Sequence, residues 1–511
     1  MLKLESKLRI VFIIFFIPLI FALSRLTLRA TCDSHPLLFN VLIVSILISF
    51  ALGSKKSYYL LILPASIIVA LYAPIGFTYG FPSYQYISSL FATNLDESIE
   101  FFKLIPYKSF IYSISIPILF YIFNVVFCKM KIRPIKNRTY IMISIILLTI
   151  SSGALVFIHK VKSSLEEVKL EANELSKYTN GNNWEDIHQT RKTKYDDYIL
   201  IIGESARRDY FHTYGYPIEN TPFIDMVNGT IVNGLESADT YTIGSLRLML
   251  TQGDKEKRKP NYNMNIIGMA NKAGFETYWL SNQGQFGTWD TPISSIAKTA
   301  NYSYFTKTKG YDENNMPDSF LTIKLKKIIS DKTDNKRFIV LHLIGSHPYV
   351  CDRVKNMEHP FKAKHKINNY IACYISSIKQ TDAFLKSVYQ IMLTNDYGKS
   401  FSIIYFSDHG MAHREINGEI QLNNNYVSKY HYDIPLVKIS SDDNKKSRLN
   451  SKKSGLMFLN GLADWMGVEG KSIEPYNLFD GLSSKKDYKS NDKKYKVDDP
   501  AIDITNDLIV K

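Results

Sequence analysis

Apolar residues are spread unevenly along this chain, and that distribution sets the first limit on its fold. Five stretches, near 10–24, 37–53, 58–76, 109–128 and 139–158, approach the length that crosses a bilayer. Beyond about residue 160 the sequence reads as a soluble globular domain, long enough to bury one large core. A basic start precedes the first run, as in a signal peptide. No small-residue cleavage site is evident and four more runs follow, so it reads as an uncleaved helix.

Basic residues orient the spans. Lys3, Lys7 and Arg9 precede the first; Lys55 and Lys56 lie between the second and third; Lys129, Lys131, Arg133, Lys136 and Arg138 lie between the fourth and fifth. All three groups share one side if the N-terminus is cytoplasmic. The opposite loop, 77–107, carries Asp96, Glu97 and Glu100, and only Arg25 and Arg29 run against the pattern. An odd number of spans then exports everything after about residue 160. The net charge of +14 reads mainly as topology signals and solvated surface, with attraction to an anionic membrane or glycolipid as the sharper reading. Nucleic acid is excluded as a partner for an exported domain.

Compartment also decides the cysteines. Cys32 and Cys128 fall on opposite membrane faces and cannot pair. Cys351 and Cys373 both lie in the exported part, where disulfides persist, and are expected to bridge.

The exported part alternates. Strands are expected at 198–203, 275–280, 338–344, 402–406 and 434–439, and helices at 243–250, 263–273, 318–329, 369–393 and 453–466. This is the pattern of a doubly wound α/β domain. The expected organisation is a five-helix transmembrane domain at 1–158, a linker with an amphipathic helix at 159–195, a catalytic domain at 196–483 and a polar tail at 484–511.

Two of these strands stop at acid. One runs into Glu204; the other runs into Ser407, Asp408, His409 and Gly410. Ligands in open α/β sheets bind just beyond the carboxyl ends of strands. Glu204, Asp408 and His409 can therefore meet around one divalent metal, and their mixed oxygen and nitrogen set suits zinc or manganese. Read singly, Glu204 is a helix-start carboxylate and Asp408 a turn cap; read together, they are ligands.

No cysteine is placed to act as a nucleophile, so a hydroxyl is expected. Thr240, Thr242 and Ser245 precede or begin the helix expected at 243–250, and a helix N-terminus favours an incoming phosphate. Thr242 is the first choice, because a nearby metal would make its hydroxyl an attacking alkoxide. His347, just past a strand end, can hold a phosphate oxygen or a second metal, or protonate a leaving group. His342 points into its strand and reads as structural. His413 and His431 compete for a role like that of His347.

At this point the pattern resembles the bacterial phosphoethanolamine transferases that modify lipopolysaccharide, members of the alkaline phosphatase and sulfatase superfamily. The carriers are IIGESARRDYFHTYGYPIENTP at 201–222, TYTIGSLRLML at 240–250, FETYWLSNQ at 275–283, HLIGSHP at 342–348 and YFSDHG at 405–410. The resemblance implies an alkaline phosphatase-like, sulfatase-type domain behind five spans, an inner-membrane location and a periplasmic catalytic domain. It implies Glu204, Thr242, Asp408 and His409 as zinc ligands, Thr242 also as nucleophile, and one zinc or two. It implies His347 and a second histidine, His431 ahead of His413, at the phosphate or a second zinc. Glu97, in the outer loop 88–101, matches a glutamate that helps bind substrate. Two features depart from the lipid A enzymes: no cysteine lies near Thr242, and Ser89 stands where some members have asparagine.

The implied reaction moves phosphoethanolamine from phosphatidylethanolamine to lipopolysaccharide, on lipid A or core, through a phosphothreonine. Phosphoglycerol transfer, or a glucan or protein acceptor, is the alternative within the same fold. A sulfatase is disfavoured because no Cys-x-Pro-x-Arg motif is present. The non-enzyme alternative is a silent membrane scaffold.

Overall fold

The computed structural model describes residues 2–31, 36–52, 56, 58–84, 86–87, 99, 101–129, 152–176, 183–284, 291–307, 316–394, 399–424, 428–484 and 498–509. The chain divides into two compact units, with the boundary between Leu170 and Glu171 inside a single helix.

In the first unit, helices stand at four of the five expected spans: α1 (Leu2–Thr31), α2 (Leu38–Leu52), α3 (Leu63–Tyr79, entered through a π-helical turn, Tyr58–Ile62) and α4 (Tyr107–Lys129). Tyr58–Tyr79 and Tyr107–Phe127 are long and apolar enough to cross a membrane; Leu38–Ser49 is apolar but shorter. Most of the fifth expected span, together with Glu97 and Ser89, lies outside the described residues. Phe16, Ile20, Val44, Ala73, Phe120 and Phe123 form the interior of this unit. Leu60, Ile68, Leu71 and Ile114 face outward, so these helices are apolar on both sides, as helices in lipid are. At Gly76 a Cβ would stand 1.6 Å from the Ala30 carbonyl oxygen, so α1 and α3 meet where only glycine fits. Helix α5 (Ser152–Ser176) covers the start of the expected linker.

The second unit is built on an eight-stranded sheet of order β11-β3-β10-β7-β2-β6-β4-β5. Its strands are β2 (Asp197–Gly203), β3 (Gly229–Glu236), β4 (Glu276–Gly284), β5 (Tyr302–Lys307), β6 (Arg337–His342), β7 (Phe401–Ser407), β10 (Leu436–Ser440) and β11 (Lys446–Ser454). Small two-stranded pairings join β1 (His188–Gln189) to β12 (Val468–Glu469) and β8 (Ala412–Ile416) to β9 (Glu419–Asn423). The sheet is parallel except for β10, which runs against both neighbours.

Strand β2 shows why the fold is layered. Tyr198, Leu200 and Ile202 enter one core, and Ile199 and Ile201 enter the other. The alternation is the two-residue period of a strand whose faces are both covered. On the first face lie α7 (Thr242–Met249), α8 (Ile266–Lys272), α9 (Pro292–Ala297) and α13 (Phe458–Met466). On the second lie α6 (Pro222–Met226), α10 (Phe320–Ser330), α11 (Val350–Arg353) and α12 (Asn369–Leu393).

Several expected boundaries shift for local reasons. The strand expected to reach 344 stops at His342, because the Ile344 and Gly345 N–H groups donate to the Asp318 carboxylate instead of a neighbouring strand. The helix expected from 263 starts at Ile266, where the Asn265 side chain caps it. The helix expected at 453–466 starts at Phe458, because Lys453 and Ser454 still pair in β11. The polar tail expected at 484–511 is partly structural: within it, Ile504 is buried in the second core. Cys351 and Cys373 are joined by a disulfide.

Candidate active site

Register creates the site. Gly203 of β2 pairs with Ser407 of β7 in parallel, so Glu204 and Asp408 leave their strands side by side. Both carboxylates and His409 are buried, and one ligand atom from each lies within 4.8 Å of the others. His409 Nε2 stands 3.5 Å from Glu204 Oε1 and 3.4 Å from Asp408 Oδ2.

Neighbouring groups aim these atoms. His409 Nδ1 lies 2.6 Å from the Gly410 carbonyl oxygen and donates to it, which leaves Nε2 facing the carboxylates. Asp408 Oδ1 accepts from the Ser205 and His409 N–H groups, at 2.9 and 2.7 Å. Asp408 Oδ2 is buried with no hydrogen-bond partner. Ser205 bridges the pair: its N–H donates to Asp408 and its hydroxyl to Glu204 Oε1 at 2.7 Å. To do both it adopts φ +56, a left-handed conformation rare outside glycine.

Burial and then the Glu204 charge push the Asp408 carboxyl up to about 8. Burial works the same way on Glu204, but the hydrogen bond and charge of His409 outweigh it and hold Glu204 below the ordinary carboxylate range. Burial opposes the His409 cation, yet Asp408 and Glu204 together raise that ring to about 9. Two buried carboxylates, an imidazole whose Nε2 faces them and an orphaned carboxylate oxygen fit a divalent cation of the zinc type.

Thr242 opens α7, and its hydroxyl lies 3.2 and 3.1 Å from the two Glu204 oxygens and 3.4 Å from His409 Nε2. Of its rivals, Ser245 is buried and donates to the Asp408 carbonyl oxygen at 2.7 Å, while Thr240 has its N–H tied to Asp239.

The four histidines sort by their partners. His431 Nδ1 accepts from the Ser428 N–H at 3.2 Å, so Nε2 carries its proton. Burial, then the charges of His409 and Arg207, lower it to about 3. His347 is half-buried, and its Nδ1 accepts from Arg353 at 3.0 Å, which again leaves Nε2–H as a donor. Burial and Arg353 lower it to about 4. His413 has both ring nitrogens engaged, by Asp499 at 2.7 Å and the Tyr210 hydroxyl at 2.5 Å, and so has no atom to offer a phosphate or metal. His342 is buried in β6, and burial lowers it to about 4.

Two contributors lie outside the expected site residues. Gln283, the last residue of the FETYWLSNQ motif, donates to Glu204 Oε2 at 3.4 Å and to the Leu343 carbonyl oxygen at 2.9 Å. It is the second-last residue of β4, so the rule that ligands gather at strand ends would have found it. Asp318 holds the loop before His347 through the Ile344 and Gly345 N–H groups and also accepts from Asn282. No sequence spacing points to it.

Comparison with known proteins gives the family. The Sulfatase family model matches residues 196–468, which makes the second unit a sulfatase-type domain. A Haemophilus influenzae protein with the provisional name phosphoethanolamine transferase is 40% identical over 387 residues, 75% of this chain and 80% of its own. The phosphoethanolamine transferase OpgE of Escherichia coli is 32% identical over 435 residues, 80% of each chain. The chain belongs to the phosphoethanolamine transferase family. In fold it also matches the integral membrane lipooligosaccharide phosphoethanolamine transferase A of Neisseria meningitidis, with a TM-score of 0.58 over 86% of this chain and 89% of that one, at 16% identity.

Proposed function

We propose that this protein is a zinc-dependent transferase that moves phosphoethanolamine from phosphatidylethanolamine to a lipopolysaccharide acceptor. In this reading it sits in the inner membrane on five spans, with its N-terminus cytoplasmic and its catalytic domain periplasmic. The observation that carries the reaction is the Thr242 hydroxyl, which opens a helix and faces Glu204 and His409.

Glu204, Asp408, His409 and Thr242 would hold the cation, which supplies Lewis acidity to the hydroxyl and to a phosphate oxygen. The chain's own groups do the rest. Glu204 accepts the Thr242 hydroxyl hydrogen bond and orients its oxygen. Thr242 Oγ1 loses its proton and bonds to the donor phosphorus, the bond to the diacylglycerol oxygen breaks, and that oxygen takes a proton. An acceptor oxygen then attacks the phosphothreonine, its own proton leaves, and Thr242 regains one. His347 and His431, neutral and each presenting Nε2–H, donate to phosphate oxygens. Charge stabilisation and positioning account for most catalysis in such displacements.

Mass spectrometry of lipopolysaccharide from cells with and without the protein tests this, with Thr242→Ala as control. A gain of one phosphoethanolamine that requires Thr242 supports it. An unchanged lipopolysaccharide with a modified glucan or protein would reassign the acceptor; no modified species at all would remove the reaction.

A further inference from the structure

Arg207 lies just beyond the Glu204–Ser205 turn and is fully buried. A buried guanidinium needs its charge compensated. Asp209 provides part, accepting from Nε at 3.0 Å and from Nη2 at 2.7 Å. The rest comes from a remote place: Asp499 accepts from Nη1 on its carboxylate at 3.2 Å and from Nη2 on its main-chain oxygen at 2.6 Å. Asp499 lies beyond the end of the sulfatase-type segment at 468.

Arg207 touches the backs of both ligand-bearing loops. Its N–H donates to the Tyr374 hydroxyl, and that hydroxyl donates to the Ser205 carbonyl oxygen beside Glu204. Its stem packs under Gly410, beside His409, so closely that a Cβ there would stand 2.9 Å from Arg207 Cγ. Asp499 also fixes the start of β8, accepting from the His413 N–H at 3.0 Å and from His413 Nδ1 at 2.7 Å. The strand reaches His413 directly from Asp408, His409 and Gly410. The segment around Asp499 is itself tied down: the Ala501 N–H donates to Asp209, the Ile502 N–H to the Tyr210 hydroxyl, and the Tyr216 hydroxyl to the Ile502 carbonyl oxygen.

We infer that Asp499 is a positioning residue, which holds Arg207 and His413 so that the loops carrying Glu204 and Asp408–His409 keep the spacing of the cation site. This rests on the metal-dependent reading given above. It makes the C-terminal segment part of the active site, and it gives His413 a supporting role instead of contact with substrate.

The test uses the full-length protein in detergent, with zinc affinity measured by chelator competition and kcat and KM measured separately on phosphatidylethanolamine. Asp499→Asn is expected to weaken zinc binding by about 10-fold, the low end of the effect of losing a group bonded directly to a ligand, because Asp499 acts through Arg207 and His413. It should lower kcat and leave KM for the donor unchanged, and Asp499→Glu should restore part of both. Wild-type zinc affinity and kcat in a folded Asp499→Asn protein would overturn the inference. If that variant does not fold, His413→Gln, which removes the ring's contacts with Asp499, Tyr210 and Arg207, carries the test: weakened zinc binding supports the inference and wild-type affinity overturns it. Glu204→Gln separates the two levels. If Glu204→Gln loses zinc while Asp499→Asn keeps it, this inference alone fails; if Glu204→Gln keeps wild-type affinity, the metal reading fails and this inference with it.

Discussion

Thr242 Oγ1 stands 3.1 Å from Oε2 of Glu204, although 38 positions separate the two residues in sequence. One begins a helix and the other directly follows a strand, so the hydroxyl and the carboxylate meet where the two elements end. That convergence is what a phosphoryl-transfer nucleophile requires.

Thr242→Ala should therefore abolish phosphoethanolamine transfer, by on the order of 10⁴-fold or more, as when other covalent enzymes lose their nucleophile. Thr242 is not part of either core, so circular dichroism and melting temperature should stay close to wild type. Thr242→Ser keeps a hydroxyl and should retain part of the rate. Near-normal transfer by the alanine variant would rule out the nucleophile assignment.

Chelation should lower the melting temperature, since a ligand held at 100 times its Kd adds about 2.7 kcal/mol to the folded state. Zinc must displace a proton from the Asp408 carboxyl, raised by burial and the Glu204 charge, and one from the His409 ring, raised against its burial by Asp408 and Glu204. Affinity should then rise with pH, roughly tenfold per unit for each proton displaced. Isothermal titration between pH 6 and 8 checks this, and a flat profile would count against Asp408 and His409 as ligands. Asp408→Asn should reduce zinc occupancy measured by elemental analysis.

Buried neutral histidines make the fold acid-sensitive, and His342 is the clearest case. Its folded pKa, about 4, lies below the ordinary value of 6.5. Between those values the unfolded chain binds the proton and the folded one does not, so stability is present above pH 6.5 and is lost as pH falls toward 4. Between pH 7 and pH 5 this group should account for about 2 kcal/mol. Urea unfolding of wild type and His342→Gln at both pH values measures it; equal pH losses in the two proteins would refute it.

The Cys351–Cys373 bridge spans a sequence separation of 22 and links the segment after His347 to α12. Loop-closure entropy puts its contribution at about 3 kcal/mol. Arg353, which donates to His347, lies in the same short helix as Cys351. Cys351→Ser/Cys373→Ser should therefore lower both the melting temperature and kcat. A loss of stability with unchanged kcat would show that the Arg353–His347 contact survives without the bridge.

Much of this protein was legible in the sequence, because the relevant signals are local. Strands β2 and β7 are apolar runs that end in acid, and their burial on both faces leaves few other folds for them. Helix α12 runs over 369–393 as its periodicity predicts, since its apolar residues recur at helical spacing. Glu204, Asp408, His409 and Thr242 could be chosen because each sits at the end or start of an element, where ligands gather. Strands β3 and β11 were not foreseen, because each pairs with a neighbour distant in sequence; the β8–β9 hairpin is a local feature, closed by Asn417-Gly418, whose turn residues were the signal that could have found it.

Only tertiary structure decided which side chains share an atom. His413 and His431 are alike as letters, and the choice between them turns on Asp499, which occupies one and leaves the other free to donate. The antiparallel turn of β10 and the burial of 498–509 likewise follow from long-range packing. Local pattern fixes an element's type because each residue's preference acts at short range. The partners of a buried polar group depend on the whole chain, because every donor and acceptor removed from water must be matched wherever the fold brings one near.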